Sequence, residues 1–526
     1  MLLINKKINH IPSKSTGGER VLKAKIAVEK GNVIGKVDDK VFGSFVEHLG
    51  RCVYTGIYEP THPQADEFGF RNDVANLVKE LGVTVIRYPG GNFVSNYRWE
   101  DGVGPVNERP VRLDMAWRSL ERNEVGVNEF SSWCRRIGVE PMMTVNLGTR
   151  GIQPALDLLE YCNHPSGTYM SDLRVKHGYA QPHNIKYWCL GNEMDGEWQV
   201  GHKTPDEYGF LAASTARAMH MFDPELKLVS CGSSHTFMDT FPDWEAATLS
   251  HTYDVTDFIS LHQYFDNFAD DPADFLAKSQ ETDRFIRTVV SVCDYIKAKK
   301  RSKKDMMLSF DEWNLWYHSK AHDDDMMANK PWTEAPNLLE DIYTFEDALV
   351  AGCMLITFLK HADRVKMACI AQLVNVIAPI MTEKGGGVCR QTTFYPFRDV
   401  AEFGKGESLN VFCDSPKYDS KNYCDVPYVE TAVVRNEESG DITIFAVNRN
   451  LEEAVEADFF LRGFEDYAVK EHIVLENDNL KAANTVTEPF NVIPAVCSNS
   501  VADNGNGAFT IRLNKASWNV IRFAKK

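Results

Sequence analysis

Apolar and polar positions along this chain follow two textures, and the first fills its larger part. From about residue 40 to about 380, short apolar runs alternate with stretches in which apolar residues recur at helical spacing. Residues 83–88 read as a strand, and residues 73–81 before it as a helix with Val74, Leu77, Val78 and Leu81 on one face, Asp73 placed to cap its start and Gly82 its end. The next helix carries Phe130, Trp133, Cys134 and Ile137, stops at Gly138 and leads into a strand at 141–147. Five more strands are expected at 185–190, 227–231, 257–261, 307–310 and 366–371, and the helix before residue 307 sets Phe285, Val289, Val292, Cys293 and Ile296 on one stripe. With residues 41–46 as the first, the strands number eight, the count of a (β/α)8 TIM barrel, in which chemistry gathers at the C-terminal strand ends.

Past about residue 385 the texture changes to short alternating runs divided by turn residues. Residues 428–435 and 441–448, joined by Asn436-Glu437-Glu438-Ser439-Gly440, read as one hairpin, and 508–513 with 517–523 as another. An early run at 21–29 has the same character and is expected to pair with them. The expected fold class is therefore α/β: a flexible segment at 1–20, an N-terminal strand region at 21–38, a TIM barrel at 39–384 and a jelly-roll-like β-sandwich at 385–526. A doubly wound nucleotide-binding sheet is the competitor. No Gly-x-Gly-x-x-Gly follows a strand, and no glycine-rich phosphate loop with Lys is present.

At 526 residues the chain exceeds one compact core. Asp and Glu number 74 against 57 Lys and Arg, a net charge of −17 that argues against nucleic acid or an anionic membrane as partner and leaves neutral substrates. Residues 1–20 hold no long apolar run, so neither a signal peptide nor a membrane span is expected, and cytoplasmic residence is the default. Twelve cysteines without a Cys-x-x-Cys pair fit buried free thiols in a reducing compartment better than disulfides or zinc.

Candidate chemistry sits where the strands end. Glu47 and His48 follow strand one; Arg87 with Pro89-Gly90-Gly91-Asn92 follows strand two; Asn146 closes strand three; Asn192 and Glu193 follow strand four. His262, Gln263 and Tyr264 belong to strand six, Glu312 and Trp313 to strand seven, Gln372 and Asn375 to strand eight. Two acids on separate strand ends, Glu193 and Glu312, are what glycoside hydrolysis requires. Each also suits a plain capping or ion-paired role. Asp311 complicates the choice beside Glu312, although strand alternation should send the two to opposite faces so that one alone reaches the barrel mouth. Arg87 reads either as an ordinary ion-pair arginine or as the group that keeps a nucleophilic carboxylate ionised. His48 and His262 read as hydrogen-bonded histidines near a packed site, with Arg87 and His262 as the supporting pair. Trp99, Trp117, Trp313 and Trp316 are core rings or sugar-stacking rings. The histidines lack metal-ligand spacing and no His-Glu-x-x-His occurs, so neither metal nor cofactor is expected; without a Gly-x-Ser-x-Gly elbow the serine-hydrolase reading fails.

Residues 42–51, 87–95, 99–105, 188–198 and 310–316, in this order, resemble the α-L-arabinofuranosidases of glycoside hydrolase family 51, retaining enzymes of clan A, and the likeness runs from about residue 21 to the C-terminus. The resemblance implies that Glu193 is the acid/base and Glu312 the nucleophile of a double displacement releasing terminal non-reducing α-L-arabinofuranosyl residues from arabino- and arabinoxylo-oligosaccharides, with carboxyl groups about 5–5.5 Å apart. It further implies that Glu47, Asn92, Asn192 and Gln372 bind the sugar hydroxyls, that Tyr264 sits against the nucleophile and Arg87 supports it, that Trp117 and Trp316 line the pocket, and that the chain forms a homo-oligomer, commonly a hexamer. Two departures stand out: Ser95-Asn96 where the family has Ser-Gly, and Val388-Cys389-Arg390 where it often has Ala-Trp-Arg, which removes an aromatic near the barrel-to-sandwich junction. The rivals are another retaining glycosidase on the same scaffold, such as a β-xylosidase or endoglucanase, and a non-catalytic carbohydrate-binding protein.

Overall fold

The computed structural model describes residues 22–497 and 500–526; the flexible segment expected at 1–20, and the start of the expected N-terminal strand at Val21, lie outside the described residues. Eight parallel strands close a barrel in chain order: Gly43–Phe45, Val85–Tyr88, Glu140–Val145, Tyr187–Leu190, Lys227–Ser230, Phe258–Phe265, Met307–Leu315 and Val365–Ala371. All eight lie at the apolar runs that predict them. Val85, Met142, Cys189, Val229, Met367 and Cys369 meet one another from five of the strands and fill the lumen, so the barrel is packed rather than open. Inward-facing polar side chains therefore collect toward the C-terminal strand ends.

Helix Asn72–Leu81 buries Val74, Leu77, Val78 and Leu81 as their spacing predicts, and it ends at Gly82 in the left-handed region with φ 80°. Its start departs from expectation. Arg71, not Asp73, is the N-cap residue, and the Asp73 carboxylate accepts two hydrogen bonds from the Arg71 guanidinium at 2.7 and 3.1 Å. Arg71 is fully buried, and a buried cation needs its carboxylates more than a helix start needs a cap.

A ten-stranded sheet forms the second unit, with Leu22–Lys36 inside it, antiparallel to Glu407–Asp414 and parallel to Val455–Arg462. The N-terminal run thus joins the C-terminal sheet, as its texture predicts. Residues from both flanks, among them Ile26, Val433, Ile444, Phe459, Ile511 and Phe523, share one apolar core, which makes the sheet a sandwich folded on itself. The hairpin of Val429–Arg435 and Ile442–Asn448 forms as expected. The second expected hairpin does not: Ala508–Leu513 pairs with Val455–Arg462 and Val501–Gly505, whereas Ser517–Lys525 pairs with Ile442–Asn448 and Tyr467–Glu476. Residues 514–516 carry the chain from one flank to the other, and the Asn448 amide holds the crossing by donating to the carbonyls of Leu513 and Asn514.

The faces of this sheet turned away from its own core bring Ala432, Val434, Phe445, Val447, Trp518 and Val520 into the barrel's core. Helix Phe345–Lys360, between barrel strands seven and eight, is buried along nearly its whole length because it lies between the two units. Gly352 stands where the Trp518 ring crosses; a Cβ there would lie 2.7 Å from the ring. The Trp518 indole N–H donates to Asp399 of helix Phe394–Phe403 at 3.0 Å. Among the described residues no helix is long and apolar enough to cross a membrane, and the cysteines are free thiols. Trp518→Ala is expected to cost about 3–5 kcal/mol and to lower the urea midpoint; a variant as stable as its parent would show that the ring does not carry the junction.

Candidate active site

The site is built around Arg87, which barrel strand two turns into the lumen with 1% of its surface exposed. Its Nη1 donates to Glu312 Oε1 at 2.6 Å and its Nη2 to Asn192 Oδ1 at 2.6 Å, and its Nε lies 3.6 Å from Asp311 Oδ2. Asp311 and Glu312 both face inward, contrary to the alternation expected of a regular strand. Strand seven carries a β-bulge: Ser309 and Glu312 pair with Ser260 and His262 on one side, while Phe310 and Trp313 pair with Ala368 and Ile370 on the other. One extra residue is inserted against each neighbour, which breaks the period of two and swings both acids into the lumen. Asp311 is the more deeply buried, and Glu312 accepts a further hydrogen bond from the Tyr264 hydroxyl at 2.7 Å.

Glu193 reaches the same place from strand four. The chain turns there through Gly191 at φ 89° and Glu193 itself at φ 43°, a left-handed backbone that costs a non-glycine residue about 1–3 kcal/mol. Its Oε2 accepts from the Trp198 indole N–H at 2.8 Å, and its Oε1 lies 3.0 Å from His262 Nδ1. Burial raises the Glu193 pKa and the charge of Glu312 adds to the rise, while the hydrogen bonds from His262 and Trp198 oppose it. Burial works against a charged His262, but Glu312, Asp311 and Glu193 overcome it and push its pKa up to about 10. One oxygen of Glu193, one of Glu312 and a nitrogen of His262 lie within 4.8 Å of one another, a spacing that would also suit a metal ion.

Across the pocket, Glu47 lies over the Gly90-Gly91 turn, where a Cβ on Gly90 would stand 2.8 Å from its Cγ and one on Gly91 2.8 Å from its Oε2. The Phe93 N–H and the Trp117 indole N–H donate to Glu47 Oε1 at 2.9 and 3.0 Å. The Gln372 amide grips the same residue twice, accepting from the Glu47 backbone N–H at 3.1 Å and donating to Oε2 at 3.3 Å. Asn92 accepts from the Asn192 amide at 3.3 Å, and Trp316 stands edge-on to Tyr264 with ring centroids 6.2 Å apart.

A family model described as the α-L-arabinofuranosidase 1 domain matches residues 77–273, and one described as the α-L-arabinofuranosidase C-terminal domain matches residues 311–517. The intracellular exo-α-(1→5)-L-arabinofuranosidase of Acetivibrio thermocellus is 58% identical over 504 residues, covering 96% of this chain and 100% of the relative. That of Bacillus subtilis is 57% identical over 505 residues, covering 96% and 99%. The solved structure of the family 51 α-L-arabinofuranosidase AbfB from Bifidobacterium longum superposes with a TM-score of 0.91 at 45% identity, over 95% of this chain and 99% of that one. The chain belongs to the family 51 α-L-arabinofuranosidases.

Within this arabinofuranosidase fold the barrel mouth brings together Glu47, Arg87, Asn92, Trp117, Asn192, Glu193, His262, Tyr264, Glu312, Trp316 and Gln372, linked by the contacts above. Other strand-end residues serve the scaffold. His48 lies 2.9 Å from Glu121 and 2.8 Å from the Tyr88 hydroxyl, behind the pocket wall. The Asn146 amide ties down the Tyr97 carbonyl, Gln263 accepts from Thr282 outside the barrel, and Asn375 holds the Arg51 carbonyl. Trp313, sent outward by the bulge, packs on Phe358 and Phe397. Two residues were missed from sequence: Trp198, whose five-residue spacing from Glu193 matches neither helix nor strand period on an irregular segment, and Asp311, which alternation assigned to the wrong face.

Burial raises the Glu47 pKa to about 8 from an ordinary 4.5. The folded state then binds a proton that the unfolded chain has released, so this group erodes stability as pH rises from about 4.5 to about 8 and does nothing below that window. Glu47→Gln is accordingly expected to raise the thermal midpoint at pH 8 relative to its effect at pH 4.5; equal effects at both values would mean Glu47 is an ordinary carboxylate.

Proposed function

We propose that the enzyme is an exo-acting, retaining α-L-arabinofuranosidase that removes terminal non-reducing α-L-arabinofuranosyl residues from arabino- and arabinoxylo-oligosaccharides. One observation carries the reading: two buried glutamates, one just past strand four and one on strand seven, bring carboxyl oxygens within 4.8 Å of each other. That separation supports direct attack by one of them, since an inverting pair stands about 6.5–9.5 Å apart to admit a water.

Glu312 is the nucleophile in this reading. Arg87 and Tyr264 each donate to one of its oxygens, which fixes its carboxyl group and aims it. Glu193 is the acid/base, kept protonated by burial and by the charge of Glu312. Glu312 attacks the anomeric carbon while Glu193 delivers its proton to the departing glycosidic oxygen. Once Glu312 is esterified its charge is gone, the Glu193 pKa falls, and Glu193 takes a proton from water as that water attacks the same carbon. Arabinose leaves with retained configuration, Glu312 is freed and Glu193 again holds a proton. Glu47, Asn92, Asn192 and Gln372 would hold the furanose hydroxyls, and Trp117 and Trp316 would wall the pocket. Glu47, Asn192 and Gln372 are nearly shut off from solvent, which supports a pocket for a single terminal sugar. Cytoplasmic residence is supported by the free thiols and by relatives named intracellular, and a homo-oligomer, a hexamer by family resemblance, goes with the same reading.

A panel of nitrophenyl glycosides tests the substrate: turnover of the α-L-arabinofuranoside is expected, and preference for the β-D-xyloside or a cellulosic substrate would sink the reading. For the mechanism, Glu312→Gly is expected to abolish turnover and to regain part of it with azide, giving a glycosyl azide of inverted configuration. Glu193→Ala is expected to slow substrates with poor leaving groups by about 10²–10⁴-fold and nitrophenyl arabinofuranoside cleavage far less, because nitrophenolate departs without a proton.

A further inference from the structure

Asp311 is buried one position before Glu312, and the double displacement gives it no task. We propose that Asp311 is a positioning residue for the proton of the reaction: it holds His262 as an imidazolium between the two glutamates and, as the second anion set against Arg87 and His262, balances the site only while Glu193 keeps its proton. The inference rests on the assignment of Glu193 as acid/base and Glu312 as nucleophile.

The geometry carries it. The bulge in strand seven sets Asp311 Oδ1 3.3 Å from His262 Nε2 and Oδ2 3.6 Å from Arg87 Nε, with 1% of the residue exposed. The other ring nitrogen, Nδ1, lies 3.0 Å from Glu193 and 3.6 Å from Glu312. With Asp311 at one ring nitrogen and Glu312 within reach of the other, a proton on each nitrogen meets an anion even when Glu193 is neutral. The charges then count simply. Arg87 and His262 are cations, Asp311 and Glu312 are anions, and the third carboxyl, Glu193, is the one left to be neutral.

The remaining groups around His262 do not upset this count. Tyr264, on the same strand, donates to Glu312. Cys189 on strand four and Cys369 on strand eight are thiols that burial keeps protonated. Asp195, beyond strand four, is tied to Ser234, and Glu47 across the pocket stays neutral to about pH 8. When the sugar esterifies Glu312, two cations face Asp311 alone, and that balance keeps Glu193, which has just passed its proton to the departing oxygen, as the carboxylate that then takes a proton from water. A constant charge at Asp311 makes that switch depend on Glu312 only.

The test is the pH dependence of kcat/KM on an arabinofuranoside for Asp311→Asn, which keeps the shape and removes the charge. Its basic limb is expected to move to lower pH by about one unit, a roughly tenfold loss on the alkaline side beyond any loss at acid pH. His262→Gln removes a cation from the same set, so its basic limb is expected to move the other way, and the double variant to return toward the parent. Opposite shifts that cancel are not the mark of a merely structural residue. If Asp311→Asn does not fold, His262→Gln decides alone, and a basic limb that stays or moves down overturns the proposal. A uniform loss of activity in Asp311→Asn with the limb unmoved overturns it as well, while azide rescue of Glu312→Gly still upholds the underlying reading. Azide rescue of an Asp311 variant in place of Glu312→Gly overturns both.

Discussion

A guanidinium that water cannot reach sets the terms for the whole barrel mouth. Arg87 lies in the lumen above a plug of Val85, Met142, Cys189 and Met367, where an unpaired charge would cost far more than the fold's net stability. It is tolerated because other strands bring partners to it: Asn192 beyond strand four, Asp311 and Glu312 on strand seven, and the Phe45 ring of strand one, 4.9 Å from the guanidinium carbon. Each of these must stand at one depth in the barrel for the charge to be satisfied. The ion that chemistry needs beside the nucleophile is thus also what makes strand register at this end costly to alter.

The same dry environment sorts three glutamates into different states. Burial raises the pKa of Glu47 and of Glu193 alike, so low polarity alone would protonate every acid in the pocket. What separates Glu312 is its donors, a cation and a phenol aimed at its two oxygens. Glu47 accepts three hydrogen bonds to the two of Glu312, but all its donors are neutral: a backbone amide, an indole and a carboxamide. Of the three, only Glu312 has the Arg87 guanidinium for a hydrogen-bond partner.

Much of this was legible in the residues. Eight apolar runs spaced by amphipathic helices announce a parallel barrel because a parallel strand is buried on both faces and reads as a short continuous run. The polar residues just past those runs announce the site, since a lumen packed with Val, Met and Cys leaves polar groups no other inward place. What stayed hidden depends on contacts far apart in sequence. The bulge at 309–312 needs both neighbouring strands to be visible, the separation of Ala508–Leu513 from Ser517–Lys525 needs the folded sheet, and Asp73 yields its cap because Arg71 is buried by groups hundreds of residues away, the carbonyls of Glu383 and Gly386.

The bulge also explains why a sandwich remote from the chemistry belongs to the catalytic unit. Turning Glu312 inward turns Trp313 outward, and a bulged strand stays put only if the side chain it expels is held. Trp313 packs on Phe358, 5.3 Å away, in the helix between strands seven and eight, and Phe310 packs on the same ring at 5.0 Å. That helix is pressed on its far side by Trp518 at Gly352, so the sheet backs the helix, the helix backs the bulge, and the bulge aims the nucleophile. Within the strand, the Asn314 amide donates to the Ala371 carbonyl at 2.6 Å and to that of Ile377, fastening strand seven to strand eight just past the bulge. A barrel lacking the sheet would expose an apolar helix and lose the surface against which Trp313 is pinned, which is reason enough for the two units to be continuous in one chain.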